Sequence, residues 1–86
     1  MHAEERLATF LLHLAQRLAS RGLSATELRL GMSREEIGTY LGLTLETESR
    51  CFSRFHDRGW LDVRQRNIRI LDRDALTGLV SPFATH

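Results

Sequence analysis

The chain has 86 residues, of which 42% are hydrophobic and 27% are charged, a composition typical of one soluble globular domain. No apolar run approaches the roughly 20 residues that a transmembrane helix needs, and the first residues lack the basic flank and apolar block of a secretory signal. These features argue against a membrane span and a disordered tail. We therefore expect one cytoplasmic domain over residues 1–86, with an ordered core at about 4–80 and without a membrane partner.

The positive charge is unevenly distributed along the chain. The net charge is only +1, but residues 50–69 contain six arginines and two acids, whereas residues 1–49 contain five arginines and seven acids. The chain contains no lysine, so every fixed positive charge is a guanidinium, and this planar group suits phosphate groups and base edges. An arginine-only composition can equally reflect a GC-rich genome. The distribution nevertheless indicates the second half of the chain as the place for an anionic partner.

The residues that could carry metal or covalent chemistry are few and scattered. Cys51 is the single cysteine, which excludes an internal disulfide and a multi-cysteine metal site made by this chain. The four histidines lack the spacing of metal ligands. No nucleophile with an adjacent base, paired carboxylate site or phosphate loop is recognisable. We expect neither a metal nor a catalytic site, and hence no enzyme.

Residues 4–20 form the first predicted helix. Leucines recur at helical spacing along one side, and Gly22 is a typical helix stop. The leucine stripe predicts a core-facing surface, although a partner helix could also pack on any part left uncovered. The stripe consists of Leu7, Leu11, Leu14 and Leu18.

A connector over residues 23–32 leads to the second helix. Leu28 and Leu30 alternate with charged residues there, which predicts a very short strand. Ser33 with Glu36 three residues later forms a capping-box pattern, which marks a helix start.

The second helix is short and ends near Gly42. We expect its inward residues to be Ile37, Tyr40 and Leu41. Gly38 lowers helix propensity by about 1 kcal/mol, so its presence predicts close approach of another helix. Leu43 is expected to anchor the turn that follows.

The third helix carries the most informative pattern. Thr44 is a suitable N-cap and Gly59 a suitable stop, so the helix is predicted at about 45–58. Its expected inward side contains Leu45, Phe52 and Phe55. Polar residues at helical spacing form a contiguous opposite face, consisting of Glu46, Ser49, Arg50, Ser53 and Asp57.

After Gly59 the periodicity becomes extended. Two alternating runs joined by a short polar link predict a β-hairpin, with Arg64, Arg66 and Arg69 at or near its tip.

A last short helix is predicted after the hairpin. Asp72 or Asp74 can cap it, its apolar side contains Leu76, Leu79 and Val80, and Pro82 is expected to end it. Residues 81–86 are then expected to form a frayed tail.

Together these elements predict a mainly α fold with a small β-hairpin wing, a winged helix-turn-helix. The major groove of DNA admits one α-helix, while the preceding helix and a hairpin can meet the phosphates. Arg50 can donate to O6 and N7 of guanine, and Glu46 can accept from the N4 amine of cytosine. An ordinary surface ion pair would show the same spacing.

From about Arg6 to Leu79 the sequence resembles the C-terminal DNA-binding domain of the Crp/Fnr family of bacterial transcription regulators. The stretch MSREEIGTYLGLTLETESR is similar to the helix-turn-helix signature of that family, and its E-x-x-S-R pattern is similar to the Fnr-like branch. The resemblance implies that Glu46, Ser49 and Arg50 read each half of a TTGAT-N4-ATCAA type palindrome.

The resemblance also implies contacts with the DNA backbone. It assigns phosphate contacts to Ser33, Arg34, Thr44 and Thr47, in agreement with the free amides and partial positive charge of a helix N-terminus. Arg64 and Arg66 are candidate wing contacts, and a solvated loop tip is their alternative role.

Glu48 departs from the pattern of the family. It falls on the side of Phe52 and Phe55, where the family usually has Ile or Val. An unpaired ionised carboxylate is costly to bury. We therefore expect Glu48 to reach the edge of the core or to pair with an arginine.

Full-length members of the family carry an N-terminal effector-binding barrel and a long dimerisation helix, which we expect to be absent from this chain. An effector or iron-sulfur site would belong to that part, so the resemblance implies no cofactor here and no cluster role for Cys51. It implies a homodimer for the full-length regulator and RNA polymerase as a further partner. The alternative function is a winged helix used for protein contact, either self-association through residues 7–18 or polymerase docking.

Overall fold

A computed structural model describes residues 2–84, with side chains described as far as Val80. Four helices and three strands follow one another along the chain: α1 (Ala3–Ser20), β1 (Glu27–Arg29), α2 (Arg34–Leu41), α3 (Leu45–Asp57), β2 (Leu61–Arg64), β3 (Asn67–Ile70) and α4 (Arg73–Ala84). The strands form an antiparallel sheet in the order β1-β3-β2. This arrangement confirms the predicted winged helix-turn-helix.

The leucine stripe of α1 lies in the core. Leu7 and Leu11 are completely buried, while Leu14 and Leu18 are partly buried at its margin. The helix packs against α4, α3 and β1. The domain itself therefore covers Leu7 and Leu11, and only the partly buried margin of the stripe is left for a partner helix.

Local signals define the ends of the helix pair. Ser33 and Glu36 form the predicted capping box at α2. Gly42 has a φ of +72°, a left-handed conformation that glycine adopts without strain. The Thr44 hydroxyl accepts a hydrogen bond from the Thr47 amide at the start of α3. Each of these features follows from residues close in sequence.

Two of the predicted inward residues are in fact exposed. Tyr40 is 69% exposed and Leu45 is 45% exposed. Tyr40 lies at the surface beside Phe10, with ring centroids 5.8 Å apart. Leu45 occupies the first turn of α3, away from the buried Phe52 and Phe55. These predictions were wrong because the spacing of apolar residues in a short helix does not reveal which other element will cover each of them.

The hairpin is present, and β1 extends it into a sheet. Leu28 pairs with Ile68, and Ile68 with Val63, so the predicted short strand lies along β3. The turn consists of Gln65 and Arg66. The predicted tip position of Arg69 is wrong: this residue lies within β3, opposite both Glu27 and Asp62.

Asp72 caps α4, since its Oδ1 accepts from the Ala75 amide at 3.0 Å. Leu76 is completely buried against the core. The predicted end at Pro82 is wrong, because the helix continues to Ala84. Residues 85 and 86 of the predicted tail lie outside the described residues. Over the described chain, no helix is both long enough and apolar enough to cross a bilayer.

Candidate nucleic-acid interface

The polar face of α3 projects into solvent as predicted. Glu46, Ser49, Arg50, Ser53 and Asp57 are all exposed. The side chains of Arg50 and Glu46 are 67% and 74% exposed, and Nη2 of Arg50 contacts Oε1 of Glu46. This contact orients two long side chains relative to each other on the first two turns of the helix. It brings a cationic donor and an anionic acceptor together at one place on the surface.

Thr44 and Thr47 form a small hydroxyl cluster at the start of α3. The Thr44 hydroxyl donates to Oγ1 of Thr47 at 2.9 Å and accepts from the Thr47 amide at 3.2 Å. Thr44 is exposed and Thr47 is half-buried. The Thr47 hydroxyl hydrogen and the amides of the first turn without an intrahelical partner lie at the positive end of the helix dipole. This end of α3 therefore has the chemistry of an anion site.

At the start of α2, Ser33 and Glu36 form two reciprocal hydrogen bonds. The Ser33 amide donates to Oε1 of Glu36 at 2.9 Å, and the Glu36 amide donates to the Ser33 hydroxyl at 3.1 Å. Hydrogen bonding of the Glu36 carboxylate to the Ser33 amide, and then to the Ser33 side chain, holds the pKa of this carboxyl below its usual range. The remaining amides of the first turn can still face a phosphate.

Arg34 is only half exposed, and its guanidinium points into the protein. Nη2 donates to the main-chain oxygen of Gln65 at 2.6 Å. The guanidinium carbon lies 4.0 Å from the ring centroid of Phe52. Nη1 is buried without a hydrogen-bond partner in the described part of the chain. Burial lowers the pKa of Arg34, and the charge of Glu48 opposes this shift. A phosphate contact, which stays a prediction, would require the guanidinium to leave these neighbours.

Glu48 is fully buried, and the prediction made for it was wrong. The residue has 0% exposure, and neither carboxylate oxygen has a hydrogen-bond partner among the described residues. Burial raises the pKa of the carboxyl, and the charge of Arg34 offsets this only in part. Glu48 fits there because position 38 of α2 is a glycine: a Cβ on Gly38 would come within 3.3 Å of Oε1 of Glu48.

The same Gly38 makes a second close approach. A Cβ attached to it would lie 2.9 Å from the main-chain oxygen of Leu43, a distance that real side chains do not adopt. The prediction that another helix approaches Gly38 closely is therefore confirmed. The neighbouring groups are the Glu48 side chain of α3 and the main-chain carbonyl of Leu43 in the turn. This explains a residue that weakens α2 on propensity alone.

The wing presents arginines at its turn. Arg64 and Arg66 are exposed, and Nε of Arg64 lies 3.3 Å from Oδ2 of Asp62. The main-chain oxygen of Arg66 accepts from the Leu30 amide at 2.8 Å, which ties the turn to the end of β1. Gln65 between them has a φ of +55°.

Arg29 is an exposed arginine of the wing that was not predicted from the sequence as a candidate DNA contact. Arg29 in β1 is paired with Asn67, and Asn67 is paired on its other side with Arg64. Residues in register share one face of a sheet, so Arg29 and Arg64 flank Asn67 near the turn. The sequence contains no signal for this proximity apart from the pairing of β1 with β3.

Several arginines of the basic segment form ion pairs with acidic residues of the same domain. Arg54 and Arg58 of α3 both contact Glu4 of α1, the latter with Nη1 3.4 Å from Oε1. Contact with Glu4 raises the pKa of Arg54. Arg69 donates to Oε1 of Glu27 at 2.7 Å. Arg50 and Arg64 also contact acidic residues, Glu46 and Asp62. Among the described residues, Arg29 and Arg66 are thus the exposed arginines of the wing without a carboxylate within 4.0 Å.

Cys51 packs in the core, with 2% exposure, and burial raises the pKa of its thiol. A thiol in this environment stays protonated and poorly reactive. Among the described residues, no group of three histidine, cysteine or acidic side chains could hold a metal ion.

An exposed polar helix face, a capped helix before it and an arginine-bearing wing beside it define a winged helix-turn-helix DNA-binding domain. Residues 5–79 match the family of the Crp-like helix-turn-helix domain, and the chain belongs to this family. It is 56% identical over 80 residues to the transcriptional regulatory protein btr of Bordetella pertussis, covering 93% of this chain and 33% of that protein.

Two further comparisons agree with this assignment. The chain is 52% identical over 77 residues to the transcriptional activator protein FnrA of Stutzerimonas stutzeri, covering 90% of this chain and 32% of that protein. The structure of FixK2 from Bradyrhizobium japonicum superposes with a TM-score of 0.82 at 44% identity, over 93% of this chain and 39% of that one. The chain thus spans about a third of the length of these curated relatives. It is a helix-turn-helix DNA-binding domain of the Crp/Fnr family.

Proposed function

We propose that this domain reads a TTGAT-type half-site in duplex DNA, with α3 in the major groove and Glu46, Ser49 and Arg50 at the base edges. The observation that carries the proposal is the position of these three side chains, which are exposed together on the first two turns of α3. A helix in the major groove contacts bases with its N-terminal residues.

The contact between Glu46 and Arg50 suits one G·C base pair. The fork of Arg50 matches O6 and N7 of guanine, and the Glu46 carboxylate accepts from N4 of the paired cytosine. A TTGAT half-site contains one such pair. The mutual contact of the two side chains in the protein reduces the freedom that they lose on binding.

The surroundings of α3 supply the proposed phosphate contacts. Ser33 and Thr44 lie at the N-termini of the two helices, where first-turn amides and hydroxyls favour an anion. Thr47 adds a second hydroxyl beside Thr44. On the wing, Arg64 and Arg66 extend this surface, and Arg29 joins them across the sheet.

The regulator that contains this domain is proposed to act in the cytoplasm as a homodimer on two half-sites about one helical turn apart. Any effector or iron-sulfur group would be held outside the residues described above, and contact with RNA polymerase is a further proposal for the whole regulator. Self-association through residues 7–18 is not supported, because Leu7 and Leu11 have no exposed surface.

The test is a selection of bound sequences from random duplexes, using the domain fused to a dimerising segment because a single module makes few contacts. Enrichment of paired TTGAT-like half-sites is the expected result. The Arg17→Ala variant serves as a control, since this exposed arginine lies on α1. Recovery of sequences without any shared half-site would refute the proposed readout.

A further inference from the structure

One guanidinium joins three separate elements next to the proposed DNA interface. Arg34 belongs to the first turn of α2, donates to the turn of the wing at Gln65 and lies over the ring of Phe52 in α3. The hydrogen bond to Gln65 links residues 31 positions apart. A flexible side chain loses conformational entropy when it is held at both ends, so this arrangement requires compensating contacts.

The buried carboxyl of Glu48 supplies such compensation. Nη1 of Arg34 and both carboxylate oxygens of Glu48 are buried, and each is without a hydrogen-bond partner within the described range. The two charges attract each other across the interior, where screening by solvent is weak. The apolar Phe52 ring covers one side of the guanidinium. Phe52 therefore contacts the guanidinium directly, and Glu48, four residues earlier on α3, attracts it electrostatically without a hydrogen bond.

The hydrogen bond from Arg34 is made to the turn of the wing, between two exposed arginines. It is accepted by the carbonyl of Gln65, the residue with positive φ, and Gln65 stands between Arg64 and Arg66. A shift of this carbonyl would move both arginines relative to α3. The turn is also held by the Leu30 amide on the Arg66 carbonyl, but that contact connects the turn to β1 and not to the helix pair.

We propose that Arg34 is a positioning residue of the DNA interface: it fixes the turn of the wing relative to α3, and the negative charge of the buried Glu48 favours this position of its guanidinium. The proposal rests on the proposed function in so far as the wing contacts DNA. It replaces a direct phosphate contact of Arg34 with an indirect role.

The first test is made without DNA on the 86-residue chain. Backbone amide order parameters of Gln65 and Arg66 are measured by NMR in the wild type and in the Arg34→Lys and Arg34→Gln variants. We expect values to fall from about 0.85, typical of rigid backbone, toward 0.6 in both variants. Glu48→Gln, which keeps the shape but removes the charge, is expected to give a smaller decrease. Arg17→Lys is the matched control. Unchanged order parameters in both Arg34 variants would overturn the proposal.

The second test separates positioning from phosphate contact. Lysine keeps the charge but cannot both donate through a fork and stack on Phe52. We therefore expect Arg34→Lys to lose about threefold to tenfold in affinity for the cognate duplex, the effect of one lost hydrogen bond, and to resemble Arg34→Gln. Full recovery by lysine would show a phosphate contact and refute the positioning role. Failure of the wild-type domain to prefer the cognate duplex would refute the proposed function alone, because the order parameters are compared without DNA.

Discussion

The carboxylate of Glu48 occupies the space that a side chain at position 38 would fill. A Cβ at Gly38 would lie 3.3 Å from Oε1 of Glu48 and 2.9 Å from the Leu43 carbonyl. The two positions therefore depend on each other: a glycine in α2 makes room for an acid in α3. This pair lies behind the outward face of α3 and determines how closely the two helices approach.

The Gly38→Ala substitution should destabilise the domain. Alanine favours a helix over glycine by about 1 kcal/mol, but the contact with the Leu43 carbonyl forces a backbone shift, and overpacking typically costs about 1–3 kcal/mol. Urea unfolding measures the difference. Gly78→Ala is the matched control, because among the described residues no atom would lie within 4 Å of a Cβ at this position. We expect Gly78→Ala to stabilise, and equal gains for both variants would contradict the packing described for Gly38.

Glu48 should make the stability of the domain depend on pH. Its pKa is raised in the folded state by burial, so the folded protein holds the proton more tightly than the unfolded chain. The folded state is therefore favoured below the ordinary carboxyl value, and this contribution is lost as the pH rises through the raised value. We expect the stability of Glu48→Gln relative to the wild type to increase as the pH rises from about 4 toward neutral.

Chemical unfolding of the wild type and Glu48→Gln at several pH values measures this effect. Glu35→Gln serves as the control, because Glu35 is exposed in the first turn of α2. A stability difference between wild type and Glu48→Gln that does not change with pH would show that the carboxyl does not titrate in this range.

Arg50→Ala should weaken binding to a TTGAT-type duplex by on the order of 1–3 kcal/mol and relax the preference at its guanine. The physical reason is the loss of a two-pronged donor from the exposed face of α3. Fluorescence anisotropy with cognate and scrambled duplexes gives both quantities, and Arg17→Ala is the control. Equal losses on the two duplexes would remove Arg50 from the base-reading group.

Arg66→Ala should weaken binding to all sequences alike. A wing arginine on a phosphate releases a counterion, so its removal should reduce the slope of log K against log salt by about 0.9. Binding measured at several salt concentrations tests this expectation. An unchanged slope would assign Arg66 to a solvated turn and not to the interface.

The elements that depend on nearby residues could be predicted from the sequence. Three of them are the capping box of Ser33 and Glu36, the Thr44 cap and the stop at Gly59. Each depends on residues within one helical turn, so the interacting residues can be recognised from their spacing in the sequence. The polar face of α3 was predicted for the same reason, because periodicity places residues on one side of a helix. These features identified the exposed face of α3 on which the proposed site lies.

The errors concern relations between distant segments. Tyr40 and Leu45 were assigned to the interior by type and spacing, but exposure depends on which element covers a position. Nothing near Arg34 in sequence reveals its contacts with the Gln65 carbonyl and the Phe52 ring, and its predicted phosphate contact stays a prediction. For Glu48, general electrostatics argued for escape to the edge, and the space beside Gly38 becomes visible only after α2 and α3 are packed together.

The ion pairs of Glu4 have a consequence for the orientation of α3. Glu4, in the first turn of α1, contacts Arg54 and Arg58 at the opposite end of α3 from the base-reading residues. Such contacts, with the burial of Phe55, resist rotation of α3 about its own axis. Successive residues of an α-helix are about 100° apart around its axis. A rotation of α3 by this angle would turn Arg50 away from a groove. The orientation of the proposed base-reading face of α3 is thus set in part by contacts with α1.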